Sequence, residues 1–299
     1  MMRVSPAPDG RHGCPGRNAA NSGIKRNIMK TILVATDLTP ASANATRYAV
    51  QLAKATGSRI HLVYVHRTPI SAFVDAGHRE TPDGGLEISP EQRLLQEVNW
   101  LRSSGVAAVD GVATSGSKAG GLVREAGSVQ AELVVMGRKA ERQTVFGSTV
   151  TQMIRKSHTP VLIVPENTTY VPVKHIVLSV DYREMIAHAD LQPLRSWINT
   201  FNASLRVIHV DAKGADTNSE ETPGRIQLAR ALADFDYIYD RLEYNDVDAG
   251  ILDYVDSHPT DLLVMIAHEH GLASRLFGST HTQSVSKLAG FPLLVLKTA

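Results

Sequence analysis

At 299 residues the chain is long enough for two domains of ordinary size, each with its own core. Hydrophobic residues make up 43% and charged residues 20%, the mix of a globular protein in water. The formal net charge of +1 gives no bulk electrostatic case for nucleic acid or an anionic membrane surface; the apolar runs are strand-length, well short of the roughly 20 residues of a membrane span.

Residues 1–28 are rich in Gly, Pro, Asn and Arg and contain no apolar stretch of the kind a secretory signal needs. They read as a disordered leader or an upstream start, with Met29-Lys30 as the natural beginning. A transit peptide is the less favoured alternative, because Pro and Gly spoil an amphipathic helix there. Cys14, the single cysteine, lies in this leader, so no intrachain disulfide is available and a cytoplasmic location is expected.

The first element is a strand over residues 31–37, where Ile32, Leu33, Val34 and Ala35 run consecutively. A continuous apolar run suits a strand buried on both faces, which implies a parallel sheet covered by helices. Thr39-Pro40 then supplies an N-cap hydroxyl and a proline at the first helical position. Ala45, Tyr48, Ala49, Leu52 and Ala53 mark one face of the helix, and Gly57 is its stop signal. Residues 60–65 form the second strand, and an insert rich in Gly and Pro over 67–89 leads to a helix at about 90–103. A strand at 106–113, a helix at 121–129, a strand at 133–136, a helix at 148–157 and a strand at 161–164 come next. This alternation is the pattern of an open, doubly wound α/β domain.

After a short linker over 166–173, stiffened by Pro172, the pattern returns. Lys30-TILVATD is answered by Lys174-HIVLSVD, and Phe146-GSTVTQ by Phe277-GSTHTQ. Such a long period is two copies of a whole domain rather than a solenoid. The expected fold is therefore α/β, with two tandem open parallel five-stranded sheets flanked by helices; domain 1 covers 29–166 and domain 2 covers 174–299. Pro160-VLIVP and Pro292-LLVL each end a copy as candidate sheet edges, and pairing them within the chain would remove an edge.

In open α/β sheets ligands bind beyond the carboxyl ends of the strands, where strand order reverses. In the first copy those ends carry Asp37, Val65-His66 and Gly137, and Gly147-Ser148-Thr149 opens the helix after the fourth strand. Backbone N–H groups and hydroxyls at a helix start suit a phosphate, although Ser148 and Thr149 also make ordinary helix caps. A carboxylate at Asp37 suits ribose hydroxyls or an adenine amino group.

The segments Ile32-LVATDLTP, Leu62-VYVH, Leu133-VVMG and Gly147-ST followed by Pro160-VLIVP, in this order, closely resemble the universal stress protein family, and the resemblance spans residues 30–297. It implies a five-stranded parallel α/β domain that dimerises, and a tandem chain can form that pair internally through its last strands. It also implies an adenine nucleotide, ATP, as ligand of many members, held by the motif Gly-x2-Gly-x9-Gly-Ser/Thr. The positions carried over are Asp37, Gly137, Gly147, Ser148 and Thr149, with the backbone at Val65 meeting the base.

Neither copy keeps the motif whole. In the first, Ala140 replaces the second glycine and only residues 141–146 precede Gly147, leaving the loop three short. In the second, Ile266 and Glu269 stand at the first two glycines, and residues 270–277 precede Gly278, leaving that loop one short. A branched side chain and a carboxylate both oppose an approaching phosphate, so any ATP site is expected in domain 1 alone. Two readings stay open: a stress-response protein with a nucleotide-binding first domain and a degenerate second, and a nucleotide-independent tandem interaction module. Association of two chains into a homodimer is also left open.

His268-Glu269-His270 lacks the i, i+4 spacing of a helical zinc pair, and no metal is expected. His61, His66, His158, His209 and His281 read as surface or strand-end residues. No G-x-G-x-x-G follows the first strand, and neither a P-loop nor a G-x-S-x-G elbow is present. The expectation is that the protein is not an enzyme and has no catalytic residues.

Overall fold

The computed structural model describes residues 29–66, 89–139, 148–182, 190–212, 223–267 and 290–297. The leader with Cys14, Ala140, Gly147, the His268-Glu269-His270 run, Gly278 and His281 lie outside these residues. The first copy supplies β1 (Thr31–Thr36), α1 (Pro40–Thr56), β2 (Arg59–His66), α2 (Pro90–Ser103), β3 (Val109–Ser115), α3 (Lys118–Ser128), β4 (Leu133–Arg138), α4 (Ser148–Lys156) and β5 (Val161–Pro165). The second supplies β6 (His175–Val180), α5 (Gln192–Phe201), β7 (Ser204–Ala212), α6 (Pro223–Ala231), β8 (Tyr237–Tyr244), α7 (Val247–Ser257), β9 (Leu262–Ala267) and β10 (Leu293–Lys297).

The two five-stranded sheets are one. The strands form a ten-stranded sheet in the order β3-β2-β1-β4-β5-β10-β9-β6-β7-β8. All neighbours within a copy are parallel, and the seam between copies is the antiparallel pair β5·β10, where Leu162 faces Leu294. Each copy thus covers the edge the other would leave open.

Both faces of the sheet are covered, as the continuous apolar runs require. Ile32 and Val34 turn toward a core shared with α1, α2, α5 and α6, through Tyr48, Leu101, Trp197 and Leu228. Leu33 turns to the opposite core, built on α3, α4 and α7 through Leu122, Met153 and Ile251. Helix α1 starts and stops where its caps dictate: Thr39 accepts from Ser42 N and Pro40 follows, while Gly57 ends the helix at φ 73°.

Two element starts differ from the sequence expectation by three residues each. Val106 is buried, but the chain joins the sheet only at Val109, opposite Ile60. Helix α3 begins at Lys118, not at Gly121, and the glycine serves packing instead. A Cβ at Gly121 would sit 2.9 Å from Val65 Cγ1.

The linker is tied to the first copy. Asn44 Nδ2 donates to the carbonyls of Pro165 and Thr168, both at 2.9 Å, and Tyr170 packs edge-on against Tyr48. Thr168 Oγ1 reaches across to Gly290 O at 3.2 Å. Among the described residues, no helix is long and apolar enough to cross a membrane.

Candidate functional site

Strand order in the first copy reverses between β1 and β4, and at the carboxyl ends of these strands lies a cleft of about 300 Å³. Asp37, Val65, Gly137, Ser148 and Thr149, expected from the sequence, all line it; Gly147 is outside the described residues. Helices α1, α3 and α4 all begin at this cleft, so their positive ends converge on it.

Asp37 sits at the mouth, held by the turn into α1. Thr39 donates to Oδ1 through both its hydroxyl, at 2.6 Å, and its amide, at 3.3 Å. Partial burial works against the charge, but these bonds, the Ser42 hydroxyl and the nearby Lys118 ammonium outweigh it. Together they hold the Asp37 carboxyl below its ordinary range, ionised at neutral pH. The turn places Leu38 at φ 60°, a left-handed conformation that costs a leucine on the order of 1–2 kcal/mol. Hydrogen bonds offset that strain: Leu38 N donates to Thr36 Oγ1 at 3.1 Å, and Thr39 N to Ser42 Oγ at 3.1 Å.

Gly137 also has a packing use, which the motif does not predict. A Cβ there would lie 2.3 Å from Ala41 O, 2.5 Å from Ala41 C and 2.7 Å from Ser42 N. The missing side chain lets the first turn of α1 rest directly on β4, and that contact is what brings Asp37 and Ser42 over the cleft.

The cationic residues of the cleft are ones that sequence reasoning misses. Lys118, Arg138 and Lys139 line it. Burial draws the Arg138 guanidinium down to about 10, which leaves it charged at neutral pH. The available signal for Lys118 is Ser117-Lys118 as a helix start, hidden when Gly121 is taken as the boundary. Arg138 and Lys139 directly follow the motif's first glycine, where the motif treats them as spacers.

The histidines divide. His158 is exposed, as expected, but His61 is a buried mid-strand residue, not a surface or strand-end one. Its Nδ1 lies 2.7 Å from Asp110 Oδ1 and its Nε2 3.6 Å from Glu125 Oε2. Flanking carboxylates let a polar ring sit under α3. His66 ends β2 but turns from the cleft, its Nε2 3.2 Å from Glu91 Oε1. His209 bridges Val180 O at 2.9 Å and Asp211 Oδ1 at 3.1 Å, inside the second copy. Among the described residues, no cluster of His, Cys, Asp and Glu is arranged to hold a metal.

The second copy departs where Gly137 has its counterpart. Ile266, buried at 3% exposure, belongs to the core beneath α5. Helix α1 begins at Pro40, three residues after Asp37; residues 183–189, which follow Asp181 in the second copy, lie outside the described residues.

Fold and cleft together define a tandem doubly wound α/β protein, its halves joined edge to edge, with a cationic cleft at the switch point of the first half. The family model of the universal stress protein family matches residues 29–165 and 196–297. The chain belongs to that family and carries its domain twice. It is 26% identical over 147 residues to a universal stress protein of Methanocaldococcus jannaschii, an alignment covering 46% of this chain and 83% of that one. A universal stress protein from Archaeoglobus fulgidus superposes with a TM-score of 0.66 at 18% identity, over 90% of this chain and 98% of its own. A putative universal stress protein from Pseudomonas aeruginosa gives 0.57 at 16% identity, over 91% and 94%. At such identities these structures speak for the fold.

Proposed function

We propose that the first domain binds an adenine nucleotide, with ATP the ligand implied by the family resemblance, and that the second domain acts as its built-in dimer partner in a stress-response role. The observation that carries this reading is the convergence of Asp37, Val65, Gly137, Ser148 and Thr149 on one cleft that Lys118, Arg138 and Lys139 make cationic. A polyanion with a hydrogen-bonding base and sugar matches that distribution: cations and helix starts for the phosphates, a carboxylate for hydroxyl or amino donors. The bound nucleotide is a regulatory ligand rather than a substrate, in a protein of the cytoplasm.

A second reading, a tandem interaction module without nucleotide, draws on Gly137. Its role against Ala41 accounts for the glycine with no phosphate involved, and Ala140 leaves the motif incomplete.

Calorimetric titration of Mg-ATP into the full chain separates the two. On the first reading one site per chain titrates, and Asp37→Asn weakens it by about tenfold, the worth of roughly 1.4 kcal/mol from one charge-assisted hydrogen bond. No heat at millimolar ATP would retire the nucleotide reading in favour of the second.

A further inference from the structure

We propose that Glu97, on α2, positions the Asp37 turn for the ligand and that its ionisation tunes the affinity of the cleft; the tuning rests on the adenine nucleotide being that ligand.

The chain must reverse from β1 into α1 across Asp37, Leu38 and Thr39, and the backbone N–H groups of this turn are held by two hydroxyls. Ser42 Oγ accepts from Asp37 N at 3.3 Å and from Thr39 N at 3.1 Å; Thr36 Oγ1 accepts from Leu38 N at 3.1 Å. Each hydroxyl has one proton to place elsewhere. Ser42 donates to Thr39 O at 3.0 Å. Thr36 donates to Glu97 Oε2 at 3.2 Å, while Glu97 Oε1 accepts from Thr46 Oγ1 at 2.9 Å.

An ionised carboxylate only accepts, so it draws the Thr36 proton toward α2 and leaves a lone pair facing Leu38 N–H. A protonated carboxyl brings a donor of its own to the same two threonines, and the direction of the chain of bonds is no longer fixed. The signal thus passes from α2 through β1 to the residue that presents Asp37.

Among the described residues, the groups facing Glu97 are few. Burial disfavours its charge most strongly; the Thr46 and Thr36 hydroxyls and Arg47 of α1 favour it, and Asp37 opposes it. The sum places its pKa above the ordinary glutamate value. With the folded-state pKa raised, the ionised group reduces stability once pH exceeds the usual glutamate range, and protonation removes that penalty. A carboxylate kept at a cost to stability, one hydrogen bond from cleft-lining Thr36, is what a site function accounts for.

Glu97→Gln keeps the shape and removes the charge. In the ligand-free full chain, amide exchange by NMR should show Leu38 protected roughly 3–10-fold less than in the parent at about pH 7.5, one modest hydrogen bond's worth. The gap should narrow when the measurement is repeated at a lower pH, where the parent's Glu97 takes up its proton. ATP affinity should track the same ratio at both pH values, a comparison in which the titration of the phosphates cancels. The thermal midpoint at neutral pH should be unchanged or higher in the variant. Equal protection in the two proteins, or a deficit that does not vary with pH, would overturn the positioning role. Equal ATP affinity in the two would show that the turn does not serve the cleft. Absence of ATP binding in the parent would refute the nucleotide reading and with it the tuning of affinity, while the exchange ratio would still decide whether Glu97 positions the turn.

Discussion

Replacing Gly137 by alanine separates the two uses a glycine could have in this cleft. If the residue is a glycine so that a phosphate can approach the backbone, alanine should weaken nucleotide binding and leave stability untouched. The geometry says otherwise. The new Cβ would stand 2.3 Å from Ala41 O and 2.7 Å from Ser42 N. Carbon contacts relax at roughly 3.5–4.0 Å, so the first turn of α1 would have to retreat by about 1 Å. The obstructing atoms are backbone, which no rotamer change can move aside. Overpacking of this kind typically costs about 1–3 kcal/mol. On a two-domain chain this corresponds to a fall in the thermal midpoint of roughly 2–4 °C per kcal/mol, since the transition entropy grows with size. Binding should suffer too, because Ser42 anchors the Asp37 and Thr39 amides and moves with the turn. Differential scanning calorimetry with and without ATP reads both effects. A Gly137→Ala protein that melts with the parent would refute the packing argument, whatever its affinity.

The same geometry fixes three further outcomes. Residues 29–173 alone expose β5 on the side that β10 now covers and should self-associate, where the full chain satisfies that edge internally; light scattering of a strictly monomeric fragment would count against the seam as the reason for two copies. Ile266→Ala should destabilise by about 2–5 kcal/mol as a cavity in the core beneath α5 without creating a second nucleotide site, measured by urea denaturation and calorimetry. Tyr254 donates to Asp240 and accepts from Arg206, and burial followed by the Asp240 bond pushes its phenol to about 12. Because that lies above an unfolded value near 10, the contribution of Tyr254 is complete below about pH 10 and lost as pH rises toward 12. Tyr254→Phe should therefore cost about 1 kcal/mol at neutral pH and flatten the alkaline limb of the stability profile; an unchanged limb would disprove the assignment.

The strands are legible because each carries an unbroken apolar run, and a run buried on both faces reads the same in any register. Ile32, Leu33 and Val34 alternate between the two cores, yet their sequence needs no knowledge of which is which. Helix starts are legible where a hydroxyl cap and a proline coincide, as at Thr39-Pro40 and Ser89-Pro90. They are missed where the signal is a glycine with a tertiary task. Gly121 lies inside α3 because Val65 leaves no room for a side chain, and nothing local in Gly120-Gly121 says so. The same holds for His61, whose burial depends on Asp110 and Glu125, far off in sequence.

The site is legible as a set of positions but not as a mechanism of support. Asp37, Val65, Gly137, Ser148 and Thr149 can be picked out by where strands end and helices begin. Thr36, Ser42, Thr46 and Glu97, which decide how Asp37 is held, come from β1, α1 and α2 and meet only after folding. Gly137 joins the two levels. Its value lies in the contact it permits between β4 and α1, and at the matching position of β9 the second copy carries the buried Ile266 instead. The counterpart Asp181 is succeeded in sequence by Tyr182-Arg183, where Asp37 has a Thr-Pro cap close behind it. One position at the end of the fourth strand thus differs between the copies: Gly137 admits the backbone of α1, and Ile266 buries a branched side chain in the core.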